Sequence, residues 1–182
     1  MPAMGEFIIR LADAFGLEHP HVVGPDVGTA AAAVPLQLGP PLKDWVEAPD
    51  REQYRTIDPR QIVAGALRGI ERYPLPDAVR EDYLSSYDGD RFAESMRYVR
   101  AYPADLPILA EFLPQIRTPV QIIAGARDTA VPPANAEFLH QRLPHSKLDI
   151  LDAGHFTWED AAGQYAALVT SWWAGGYTAT GP

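Results

Sequence analysis

Over the first sixteen residues, apolar side chains return every three or four positions. Phe7, Ile8, Leu11, Ala14 and Phe15 form one stripe, and Gly16 follows where a left-handed residue closes a helix. The period then changes. "HVV" at 21–23 is a short β-branched run between a proline and a glycine, which predicts a buried strand feeding the turn "GPDVG" at 24–28. From Pro40 to about Pro114 the period is helical again, in short pieces separated by prolines and with no clear strand. Asp58 and Pro59 suit an N-cap and first turn ahead of Ile62, Val63, Ala66, Leu67 and Ile70. "PDAVREDYLSSY" (76–87), "DRFAESMRYVRAY" (90–102) and "DLPILAEFL" (105–113) repeat that design, anchored by Val79, Tyr83, Leu84, Phe92, Met96, Leu106, Leu109 and Phe112. Alternation then returns. "PVQIIAG" (119–125) reads as a buried strand of parallel type, "PPANAEFLHQRLP" (132–144) as a helix, "SKLDIL" (146–151) as a second strand, and "TWEDAAGQYAALVTSWW" (157–173) as one closing amphipathic helix. Strands alternating with helices at both ends predict an α/β sheet carrying an all-helical insertion.

Composition narrows the classes of function. A chain of 182 residues with 47% hydrophobic and 21% charged side chains has the profile of one soluble domain with a real core. A formal net charge of -9 and the lack of any Lys/Arg run argue against a nucleic-acid partner. With no cysteine there is neither a disulfide framework nor a thiolate zinc site, which fits a reducing cytoplasm. The five histidines are not at metal-ligand spacing, and His19 and His21 flank a proline far from carboxylate-rich company. "MPAMGEFIIRLADAFG" carries acidic residues inside its apolar stretch, unlike a signal peptide, and no run reaches membrane-spanning length. The expectation is a cytoplasmic protein acting on a small molecule, without a nucleic-acid or membrane partner.

In "GPDVG" small residues flank Asp26, as a tight strand-to-helix turn requires of a nucleophile elbow. An ordinary glycine-bounded turn in which Asp26 caps a following helix also fits. A dinucleotide-binding turn would need a third glycine and a later acidic residue at a strand end, and both are missing. Two later segments bear on the choice. Asp128 lies in "GARDTAVPP" directly after the strand "VQIIAG", and His155 lies in "DAGHFTWED" after the strand "KLDIL". Loops at the ends of parallel strands are where such folds put function. Asp26, Asp128 and His155 therefore stand in the order nucleophile, acid, base, each just after a strand.

Through "VVGPDVG", "IIAGARDTAVPP" and "LDAGHFTWED", with "LADAFGLEHPH" before them and a helical section between, the chain resembles the α/β-hydrolase superfamily. Within it the resemblance is to the branch with an aspartate nucleophile, which includes haloalkane and haloacetate dehalogenases and epoxide hydrolases. It extends over nearly the whole chain. It implies an α/β-hydrolase fold in three parts: residues 1–34 as a partial core with the elbow, 35–115 as a helical cap, and 116–182 as the C-terminal part of the core. It further implies that Asp26, His155 and Asp128 are catalytic and that neither a metal nor an organic cofactor is needed.

The chemistry of a carboxylate at the elbow follows from elementary considerations. With a reference pKa near 4, roughly, a carboxylate is already anionic at neutral pH, whereas a serine must first lose a proton. It can displace a halide or an epoxide oxygen from a saturated carbon and form an alkyl ester. A histidine held by Asp128 would then activate water to hydrolyse that ester. An epoxide would need a proton donor, for which the cap offers Tyr54, Tyr73, Tyr83, Tyr87 and Tyr98. Some dehalogenases place a tryptophan directly after the nucleophile. Here that residue is Val27, with Trp45 as a weak substitute.

Parts of the family pattern are unmatched. There the elbow launches a long helix and a further strand before the cap, and several strands and a His-Gly loop lie upstream. Here Pro35 ends any helix after Gly28 within about two turns. A truncated sheet is expected, with Val22 and Val23 beside a gap and exposed edges that would favour a homodimer. Two functions fit. One is a hydrolase of a small halide, epoxide or ester; the other is a catalytically silent remnant that binds a small ligand or a partner chain.

Overall fold

The computed structural model describes residues 2–24, 39–48 and 52–180. Helix α1 spans Pro2–Ala14, and Gly16 closes it at φ 63°. Gly16 N–H donates to Asp13 O at 3.0 Å and Leu17 N–H to Ala12 O at 2.9 Å, so the last carbonyls are satisfied in the way a left-handed glycine permits. The turn with Asp26 and the alanine-rich stretch after it, residues 25–38, lie outside the described residues.

The described residues between 42 and 112 form helices and short connections. They comprise α2 (Leu42–Glu47), a 3₁₀ turn (Glu52–Thr56), α3 (Pro59–Ala66), α4 (Asp77–Ser85) and α5 (Arg91–Phe112). The Asp58 side chain caps α3 by accepting from Arg60 N at 3.0 Å, as its position before Pro59 predicts. The expected division of 90–113 into two helices does not occur: α5 runs unbroken for 22 residues through Pro103 and Pro107. Both prolines are exposed, while Phe92, Met96, Val99, Tyr102 and Leu106 form the buried stripe. The carbonyls deprived of a donor therefore lie on the wet side, where water can serve them.

That stripe builds the first of three cores. Phe92 is 2% exposed and meets Trp45, Tyr54 and Tyr87 edge-to-face, with centroids 5.4, 5.8 and 5.5 Å away. A second core, Leu113, Ile122, Ala136, Leu139 and Leu143, lies under the strands. A third, Val63, Leu67 and Leu84, packs against Phe156 and so joins the helical section to the strand-end loops.

Strands β1 (Val120–Gly125) and β2 (Ser146–Leu151) pair in parallel from Val120↔Ser146 to Gly125↔Leu151, with α6 (Ala134–Arg142) as the crossover. The predicted strand at 21–23 is not formed. Residues 20–24 lie outside any ladder among the described residues, and Val22 is 69% exposed. A cavity of about 640 Å³ is lined by this stretch together with Val120–Gly125 of β1. The closing helix is also divided, into α7 (Thr157–Asp160) and α8 (Ala162–Trp173), with Ala161 at φ -129°. The Asp160 carboxylate accepts from the backbone N–H groups of Glu71 (2.9 Å) and Arg72 (2.9 Å), which ties α7 to the helical section instead of continuing the axis.

Two glycines let the chain cross itself above the strand ends. A Cβ on Gly125 would collide with Gly154 O and stand 2.6 Å from Ala153 O, and one on Gly154 would stand 2.8 Å from Gly69 O. All these obstacles are backbone, so nothing flexible can yield. Gly125→Ala should therefore lower stability by about 1–3 kcal/mol. Gly163→Ala, with open space around its Cβ and a helical backbone, should be neutral or stabilise by up to about 1 kcal/mol. Phe92→Ala should cost about 3–5 kcal/mol, all three variants being compared with the wild type by urea titration. Equal stabilities for the two glycine variants would contradict the close approach.

Candidate active site

The loop after β1 is wound back on the sheet by three backbone bonds: Ala126 N to Leu151 O (2.8 Å), Arg127 N to Ala153 O (2.9 Å) and Asp128 N to Gly125 O (3.2 Å). This places Asp128 at the carboxyl end of β1. Its side chain is 9% exposed, and its two oxygens have separate tasks. Oδ1 accepts from the N–H groups of Ala130 (2.9 Å) and Val131 (2.8 Å), which fixes the carboxylate in its own loop. Oδ2 lies 2.8 Å from His155 Nδ1.

His155 reaches that oxygen from the loop after β2. Ala153 is fully buried there, its N–H bound to Leu151 O at 2.8 Å, and Gly154 passes under Gly69. The imidazole, with a side chain 23% exposed, stands edge-to-face to Phe156 (5.4 Å) and Trp158 (6.4 Å). In the neutral tautomer that donates Nδ1–H to Asp128, the lone pair lies on Nε2, and that nitrogen can take a proton. Such an arrangement can serve as a base held by an orienting carboxylate.

Asp128, His155, Thr157 and Trp158 line the cavity beside β1, together with Val22, Val23 and Gly24. Tyr165 also lines it, and burial pushes that phenol above its ordinary value, so it stays a neutral hydroxyl. Among the described residues no three His, Asp or Glu side chains are close enough to hold a metal ion.

The sequence-predicted residues thus divide. His155 and Asp128 are brought together, whereas Asp26 lies outside the described residues. Trp45 is packed on Phe92 in the helical core and not at the cavity. Tyr54 and Tyr87 pack on Phe92 as well, and Tyr73 and Tyr98 are exposed. Tyr83 is bonded to a residue lining the cavity, Trp158. Missed by sequence reasoning were Trp158 and the crossing glycines 125 and 154. The string "GHFTWED" gave a signal for Trp158 in its aromatic density directly after the histidine. Behind the site, Arg127 and Arg72 both pair with Asp152, and Arg127 also pairs with Glu71 at 3.1 Å, a network that links the helical section to both strand-end loops.

The sequence model of the family described as "alpha/beta hydrolase fold" matches residues 77–162. The "Putative carbamate hydrolase RutD" of Caulobacter sp. (strain K31) is 32% identical over 84% of this chain. The chain covers 64% of that relative's length, just under two thirds. Among solved structures, an alpha/beta hydrolase fold protein from Burkholderia ambifaria superposes with a TM-score of 0.71 at 20% identity, over 90% of this chain and 69% of its own. The enol-lactonase from Burkholderia xenovorans LB400 does so with a TM-score of 0.69 at 20% identity, over 92% and 70%. At such identities the structural likeness speaks to fold. Among the described residues no helix is long and apolar enough to cross a membrane. The chain has the α/β-hydrolase fold, and its residues 77–162 match the sequence model of that family.

Proposed function

We propose that this chain is a hydrolase of a small organic substrate in which His155, oriented by Asp128, activates water, and Asp26 serves as the nucleophile. The observation that carries the reading is the 2.8 Å contact between His155 Nδ1 and Asp128 Oδ2 in the lining of a cavity. Asp26 follows Gly24 by two residues, a reach of about 7 Å, and Gly24 lines that same cavity. Where the chain resumes, Gly39 N–H donates to Ala130 O at 3.0 Å, beside Asp128, so both ends of the intervening segment lie at the site.

With a haloalkane or epoxide, an Asp26 oxygen would form a bond to carbon as the halide or ring oxygen leaves with the bonding pair. His155 Nε2 would then take a proton from water as that water adds to the ester carbonyl, and return it to the alkoxide that departs as the Asp26 carboxyl is restored. The relative from Caulobacter, named for carbamate hydrolysis, favours a second reading of substrate class. There the water activated by His155 adds directly to a carbamate or ester carbonyl, and the proton passes to the leaving amine or alcohol.

The two readings separate on one set of variants. Asp128→Asn should lower kcat on any substrate the wild type turns over by at least ~10²-fold, and His155→Gln by about 10²–10⁴-fold. Under the first reading, His155→Gln incubated with an alkyl halide or epoxide accumulates an alkyl ester on Asp26, visible as added intact mass. Under the second, Asp26→Asn keeps turnover of p-nitrophenyl acetate or an aryl carbamate, and no adduct forms. A wild type that turns over none of the four substrate classes would overturn the hydrolase reading in favour of a silent ligand-binding remnant.

A further inference from the structure

None of the described residues that line the cavity holding His155 and Asp128 is a lysine or an arginine. The lining has one acid, Asp128, and two bases, His155 and His21, neither of which is a permanent cation. Residues 25–38, which follow Gly24 of that lining, add Asp26 and contain no Lys or Arg. The cation nearest to Asp128 in the chain is Arg127, and its guanidinium is taken by Glu71 at 3.1 Å and by Asp152. Much of the remaining lining is apolar. Ile122, Leu139 and Leu143 are buried members of it, and Val169 and Trp172 belong to it as well.

We propose that this cavity selects substrates whose non-reacting part is uncharged and apolar, and rejects those that carry a carboxylate there. The proposal rests on the hydrolase reading and narrows it: a haloalkane, an alkyl epoxide, an alkyl ester or a carbamate ester qualifies, and a haloacid does not. A carboxylate moved out of water against Ile122 and Leu139 loses its hydration and meets no counter-ion. The like charge of Asp128 opposes it further, and the net charge of -9 extends that repulsion beyond the cavity. An apolar tail of the same shape gains from burial instead. The same lining also helps turnover, because hydrolysis of a neutral ester makes a carboxylate, the species that the cavity disfavours.

The test uses two esters of nearly equal shape, p-nitrophenyl 4-methylpentanoate and p-nitrophenyl hemisuccinate, whose acyl tails end in an isopropyl group and in a carboxylate. Relative to the uncatalysed rates, kcat/KM of the wild type should favour the neutral ester by at least about 10²-fold. Val22→Arg and Val23→Arg put a cation on the lining at positions 69% and 43% exposed, where the fold can accept it. At least one of them should narrow the preference about tenfold. Ile108→Arg, 57% exposed on α5 and outside the lining, should leave it unchanged. A wild-type preference below about threefold, or one that neither valine variant narrows, would overturn the proposal. Binding gives a second readout, because Trp158, Trp172 and Trp173 line the cavity and their fluorescence reports its occupancy. The neutral amide 4-methylpentanamide should change that fluorescence at concentrations where succinamate does not, and equal responses would overturn the proposal. A wild type that hydrolyses neither ester would count against the hydrolase reading alone, and the fluorescence titration would still decide whether the cavity excludes anions.

Discussion

The pairing of His155 with Asp128 depends on two loops crossing at backbone distance, and much of the chain is arranged around that crossing. Gly125 must pass under Ala153 and Gly154, and Gly154 under Gly69. No side chain fits at either place. The parallel register of β1 and β2 ends level, at Gly125↔Leu151, so both loops start from the same height above the sheet. Divided hydrogen bonding of the Asp128 carboxylate then settles which oxygen meets the imidazole, because Oδ1 is occupied by the Ala130 and Val131 amides. The contact is thus a consequence of backbone geometry more than of side-chain choice.

The helical section is attached at the same place, by three kinds of interaction. Apolar packing of Leu67, Val63 and Leu84 against Phe156 supplies the hydrophobic contribution. Asp160 bonding the amides of Glu71 and Arg72 supplies direction. The Arg127, Arg72, Asp152 and Glu71 cluster is exposed and screened by salt, and as a network it fixes register more than it stabilises. All three end on residues within five positions of His155 or on the loop carrying Asp128. The insertion and the two strand-end loops are in this sense one mechanical unit.

The sheet pair and its two site residues were legible because the signals there are local. "VQIIAG" and "KLDIL" are unmixed apolar runs, and each is followed by a loop of small residues that can only expose a polar side chain. Features set by tertiary contact were not legible. Pro103 and Pro107 read as helix breaks, yet their spacing of four puts both on the solvent face of α5, where a lost hydrogen bond is replaced by water. The 157–173 segment has one helical period throughout, and nothing local announces that Asp160 would turn away to serve the amides of residues 71 and 72. "HVV" has strand composition, but a strand exists only with a partner, and residues 20–24 lie outside any ladder among the described residues. The resemblance drawn from three motifs anticipated the α/β-hydrolase fold, while the aspartate-nucleophile chemistry rests on residues 25–38, which the structure does not describe.

The account stands on the bond between His155 Nδ1–H and the Asp128 carboxylate, and proton NMR of imidazole N–H groups reads it directly and independently of any substrate. A low-field imidazole N–H resonance that disappears in both His155→Gln and Asp128→Ala, in proteins that remain folded, is the predicted result. A His155 N–H resonance that is unchanged when Asp128 is replaced would contradict it, because the orienting carboxylate would then have no hold on the base.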